Sequence, residues 1–268
     1  MGHQRLGDIP KTQRWNAVVE TVTGGGGASG VTVGQAVDVP EVAAVTLVAA
    51  DAGLNAAVND EGLRYTFYLL AQFVLAARED DWQAGLAEQG IRLSPDSSLF
   101  DFTSEVHKAV DEHVSRHGRA TTISEMAQQA AGEAIASLAG PTSVTLFGTG
   151  SEELQRSLRQ LSTKAGFAKL GQRFFGCFMA RFLNFYLSRV TASQVGSNRL
   201  PDTADLSTFD EALRTHCQQS ARIVHDFCGE WYSKTEFQKG IDLASTSGFM
   251  AVAVRKLQDE LRNQREAS

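Results

Sequence analysis

The histidines and cysteines are the side chains of this sequence best suited to hold a metal, and their spacing decides whether they can. His113 and His117 stand four apart in Asp111-Glu112-His113-Val114-Ser115-Arg116-His117, a separation that puts two imidazoles on one helical face. Two ligands leave a tetrahedral ion half coordinated, and Arg116 between them opposes a cation. Histidines just before Gly118 also suit the negative end of a helix without any metal. His216, Cys217, His225 and Cys228 form a second group on paper. Cys217 and Cys228 are eleven residues apart, which is about 16 Å along a helix axis and too far for one ion. With Leu213, Ser220, Val224 and Trp231 they complete an apolar stripe, so the thiols read as small buried hydrophobes.

His225-Asp226 is a histidine–aspartate doublet in a sequence with helical patterning. It invites comparison with the metal-dependent phosphohydrolases of the HD type. That resemblance would also require an earlier His and a later Asp that converge on the doublet. His216 or His117, and Asp242 or Asp259, are the available residues. On a helical wheel His225 and Asp226 point away from the apolar stripe, as solvated residues do. His113, His117, His225 and Asp226 are therefore weak metal candidates, and no metal is expected. Gly25, Gly27 and Gly30 satisfy G-x-G-x-x-G, but no firm strand precedes them and no helix follows, as a dinucleotide site requires. Gly148-Thr149-Gly150-Ser151 could cradle phosphate at a helix start, but Glu152 and Glu153 follow and repel it. There is no Gly-x-Ser-x-Gly elbow and no Glu-x-x-His pair. No cofactor is expected.

The elements around these residues are more telling. Residues 154–201 contain no Asp or Glu but carry Arg156, Arg159, Lys164, Lys169, Arg173, Arg181, Arg189 and Arg199, in a chain whose net charge is −6. The same stretch holds Phe167, Phe174, Phe175, Phe178, Phe182, Phe185 and Tyr186. On a wheel Phe167, Phe174, Phe178, Phe182 and Phe185 fall within about 80° of one another. Met179, Leu183, Leu187 and Val190 occupy much of the opposite side. Arg173, Cys177, Arg181, Asn184 and Ser188 form a narrow polar strip. This pattern predicts a central helix, with Arg173 and Arg181 buried beside it and paired with carboxylates. Residues 35–100 carry ten acids against three bases, and residues 101–153 eight against three, so acidic partners are at hand. On this reading Arg181→Met strands a carboxylate at roughly 3 kcal/mol, and Arg156→Ala costs under about 1 kcal/mol.

Composition is that of a globular chain, with 43% hydrophobic and 21% charged residues and only five prolines. The pattern predicts an all-α fold of about eight helices, as one compact bundle or two packed lobes. Helices are read at 12–22, 40–58, 60–79, 82–89, 100–117, from Thr121 or Thr122 to 139, from 151 through the basic stretch, 209–232, and after Ser245. Thr122 to Glu125 and Thr149 to Glu152 have capping-box spacing. Residues 1–34 read as a short helix and a Gly-rich linker, and 35–268 as the helical domain. Its possible lobes are 35–139 and 151–268, with a hinge at 140–150. Ser143 to Phe147 carries the one hint of strand.

Function follows by elimination. Eighteen Arg against seven Lys reads as bacterial coding bias. Three unpaired Cys suit a reducing cytoplasm. The longest apolar run, Phe174 to Leu187, is too short to span a bilayer, and the N-terminus lacks a signal core. The sequence is therefore read as a non-enzymatic, cytoplasmic protein-interaction or assembly subunit, with a protein partner or self-association. Arg156, Arg159, Lys164 and Lys169 are the candidate interaction surface. The alternatives are a membrane-active effector using the basic helix 164–190 and an HD-type phosphohydrolase. A pI of about 5.5 argues against nucleic acid as partner.

Overall fold

Helix caps set the boundaries of this fold. The computed structural model describes residues 12–24, 37–140 and 150–263. Within them every regular element is helical, apart from one isolated bridge between Val195 and Leu200. The linker glycines after Gly24, the strand hint at 143–147 and most of the expected hinge lie outside the described residues.

The elements run α1 (Gln13–Thr23), α2 (Val39–Ala49), α3 (Asp51–Ala57), α4 (Glu61–Ala76), α5 (Trp82–Glu88), α6 (Leu99–His117) and α7 (Thr122–Ala139). They continue with α8 (Ser151–Leu161), α9 (Lys164–Ser193), α10 (Thr203–Ser220), a 3₁₀ turn (Ala221–Val224), α11 (His225–Lys239) and α12 (Leu243–Asn263). The expectation of about eight helices is corrected upward, because three pattern-continuous segments are broken by the backbone. The 40–58 segment bends by 73° at Ala50 between α2 and α3. The basic stretch breaks at Ser162-Thr163, where Thr163 caps α9 by accepting from the Gly166 amide at 3.0 Å. The 209–232 segment starts earlier, at the Asp202 cap, and is interrupted by the 3₁₀ turn. Cys217 and Cys228 thus sit on different helices. The cap of α7 is Thr121, whose hydroxyl accepts from the Ser124 amide at 3.0 Å while Ser124 Oγ accepts from the Thr121 amide. Gly150, with no side chain to offer, caps α8.

Helix α9 is the axis, packed by α7, α10 and α11 and touched by α8 and α2. Its Phe167, Phe174, Phe175, Phe178 and Phe182 are fully buried, and Phe185 is half-buried near its end. Phe67 of α4 is the hub against which this aromatic column packs, with ring centroids 5.2 Å from Phe175, 5.4 Å from Phe174 and 5.8 Å from Phe167. Phe249 of α12 stacks on Phe67 at 5.3 Å and on Trp231 of α11 at 4.4 Å. Aromatic pairs at these separations add to the area they bury. Residues from both halves of the chain enter one hydrophobic cluster.

Small residues let the helices approach. A Cβ on Gly171 of α9 would stand 2.6 Å from Cys228 Sγ, and one on Gly229 of α11 would stand 2.8 Å from the Lys164 carbonyl. The two helices therefore meet through reciprocal notches. The corner between α8 and α9 is tied down from outside. Arg78, two residues past the end of α4, donates to the Ser162 carbonyl and pairs with Glu236, and the Tyr232 hydroxyl donates to the same carbonyl at 3.1 Å. No single helix among the described residues is long and apolar enough to cross a membrane.

Candidate functional site

The polar strip of α9 meets one carboxylate. Arg173, Cys177 and Arg181 are spaced four apart, so they line one face, and that face looks across to Glu133 of α7. Arg181 Nη2 donates to Glu133 Oε2 at 3.0 Å, and Arg214 Nη1 of α10 donates to Glu133 Oε1 at 2.8 Å. Arg173 Nη2 stands farther off, 3.8 Å from Oε1. Arg181 also donates to Gln129 Oε1 at 2.8 Å. Burial alone would raise the Glu133 carboxyl, but Arg214, the Cys177 thiol and Arg181 together hold it below its ordinary value. The Cys177 thiol is pushed up to about 12, first by burial and then by the Glu133 carboxylate. It is a neutral donor, not a nucleophile.

Beside this knot a cleft of about 440 Å³ opens between α9 and α10. Lys169, Arg173, Arg214 and Arg222 line it, with Gln172 and Gln218 on its walls and Glu211 as its carboxylate. Gln218 is fixed by donating to the Arg173 carbonyl at 3.3 Å and to Cys177 Sγ at 3.1 Å. It fits because Gly176 leaves room for its amide, which a Cβ there would meet at 2.6–2.7 Å. Arg173 and Arg181 each bury an Nε that has no hydrogen-bond partner.

Arg156, Arg159, Lys164 and Lys169 are exposed. Arg173 and Arg181 are not fully buried: each side chain keeps 34% of its exposure while pairing with Glu133. His113 Nε2 lies 2.8 Å from Glu61 Oε1, and its ring stacks on Tyr65 at 3.6 Å. His117 Nδ1 bonds the His113 carbonyl at 3.0 Å. His225 Nδ1 lies 2.7 Å from Asp226, whose side chain is 95% exposed at the start of α11. Among the described residues no three His, Cys, Asp or Glu side chains are grouped to hold a metal ion. Cys177, Cys217 and Cys228 are free and buried, and burial raises the last two thiols as well.

Sequence reading passed over Glu133 and Arg214. Glu133 had a signal: it is the sole charged residue between Glu125 and Glu152, set among small residues of α7. A lone charge on an otherwise apolar helix has to meet a partner. Arg214 had none, since nothing in its own helix marks it from other exposed arginines.

Compared with known protein families, with curated proteins and with solved structures, the chain matches none.

Proposed function

We propose that this protein is a non-enzymatic interaction or assembly subunit of a bacterial cytoplasm, which docks an acidic protein partner on α8 and the start of α9. One observation carries the reading. The acid-free stretch turns its aromatic side inward, while Arg156, Arg159, Lys164 and Lys169 stay exposed and form no ion pair with any described residue. Arg116 and Lys234, by contrast, are each answered by an acid one turn away, Glu112 and Glu230. An unanswered basic face steers acidic partners and fixes their orientation.

What supports the non-enzymatic reading is that the candidate catalytic side chains have partners within the chain or are buried. His113 bonds Glu61, His225 bonds its own neighbour, and the thiols are buried. A membrane-active use of 164–190 would require α9 to leave the bundle, because its aromatic face is the core.

A labelled ten-residue oligoglutamate peptide serves as the probe, read by fluorescence anisotropy over a salt series. Binding that weakens steadily with salt and is lost in Arg156→Glu/Arg159→Glu/Lys164→Glu supports the reading. Equal behaviour of parent and variant overturns it, as does co-flotation of the protein with anionic phospholipid vesicles when the peptide does not bind.

A further inference from the structure

We infer that the cleft between α9 and α10 is a binding site for a compact phosphorylated small molecule carrying two or more negative charges. This inference does not rest on the α8 face. Four cations, Lys169, Arg173, Arg214 and Arg222, converge on the cleft. The carboxylates near them are Glu211, which Arg214 Nε meets at 3.7 Å, Asp210, which also lies within reach of the Arg214 charge, and Glu133, which Arg181 shares. With Arg181 counted, five cations meet three carboxylates, so two positive charges remain in surplus.

Arg173 is the half-buried member whose pairing is incomplete. Arg173 reaches Glu133 only at 3.8 Å, and its Nε is buried with no hydrogen-bond partner. A guanidinium fork with open donors matches an oxyanion that takes two parallel hydrogen bonds. Its backbone is held in place as well, because the Gln218 amide donates to the Arg173 carbonyl and Gln172 Nε2 donates to the Gln218 carbonyl at 3.4 Å. The cleft is therefore walled by fixed amides and by arginines already oriented through Glu133, so little order has to be created on binding. Its volume of about 440 Å³ falls within the range of small-ligand sites. That is room for a diphosphate with a modest organic group, and too little for a folded partner. Lys169 and Arg222 are exposed at the mouth and take no part in the Glu133 knot. They are the residues to change without disturbing the fold.

The test is isothermal titration of the full chain with inorganic pyrophosphate at low, constant ionic strength. Parallel titrations with adenosine diphosphate and with a ten-residue oligoglutamate use the same buffer. Saturable binding of pyrophosphate or the diphosphate at one site is expected. It should weaken by roughly tenfold or more in Lys169→Ala/Arg222→Ala, about the loss of one charge-assisted contact. Arg156→Ala/Arg159→Ala, on α8, should leave it unchanged. Tighter binding of the nucleotide than of pyrophosphate would assign the phosphates to an organic ligand, and the reverse to the free anion. The inference is overturned if neither phosphate binds by about 5 mM. It is overturned equally if the Lys169/Arg222 variant binds as the parent does, or if only oligoglutamate binds through these residues. Failure of this site leaves the docking face on α8 standing, because Arg156, Arg159 and Lys164 do not line the cleft.

Discussion

At Glu133 both carboxylate oxygens are occupied, Oε1 by Arg214 and Arg173 and Oε2 by Arg181, with the Cys177 thiol donating as well. The consequence for substitution is asymmetric. Replacing one arginine leaves Glu133 with other cations, so no charge is stranded. Replacing Glu133 leaves three guanidiniums facing one another, with only Arg214 still near another acid, Glu211. The expected order of destabilisation is Glu133→Gln at about 2–3 kcal/mol and Arg181→Met at about 1 kcal/mol. Arg156→Ala, on the exposed face of α8, follows at under about 0.5 kcal/mol. The sequence-based figure of roughly 3 kcal/mol for Arg181→Met assumed a buried carboxylate with a single partner, and the shared geometry removes that premise. Urea denaturation of the three variants checks the order, and a larger loss for Arg181→Met than for Glu133→Gln would show that the arginine holds something besides this carboxylate. Arg173, Cys177 and Arg181 were legible as one strip because a helix repeats its face every four residues or so. Their partner was not, since pairing across helices depends on tertiary placement that periodicity does not encode.

Helix α9 makes its closest approaches through glycine. Gly171 receives Cys228 of α11, Gly229 of α11 receives the Lys164 carbonyl and Ala168, and Gly176 receives Gln218 of α10. The aromatic residues supply buried area, but the notches set how near the neighbouring helices come. Gly171→Leu is expected to cost about 2–3 kcal/mol, because overpacking against the buried Cys228 side chain pushes α11 away. Gly248→Ala, where a Cβ meets nothing within 4 Å in α12, should be neutral or stabilise by up to about 1 kcal/mol. Thermal or chemical denaturation of the pair separates packing from propensity, and equal effects would remove the notch as an explanation. The existence of these helices was readable from periodicity and caps. Their breaks at Ala50, at Ser162-Thr163 and at Ala221–Val224 were not, because apolar patterning runs straight through each. Only Thr163, a good cap residue inside the basic stretch, hinted at the second of them.

Across the whole molecule one acid-free segment serves two ends. Its apolar side forms the column on which Phe67, Trp231 and Phe249 close the core. Six of its cations divide between the Glu133 knot, the cleft beside it, and the exposed start on α8 and α9, while Arg189 is exposed near the end of α9 and Arg199 donates to the Thr21 carbonyl. A protein built this way needs α9 in place both to fold and to present the cleft, so the segment should be the most protected in the molecule. Amide hydrogen exchange on the intact chain, with and without anionic phospholipid vesicles, measures this directly. Amides from Phe167 to Leu187 are expected to exchange slowest of all, opening only with global unfolding, and to be unaffected by vesicles. Exchange in α9 faster than at the ends of α1 and α12, or protection of α9 that depends on vesicles, would contradict it.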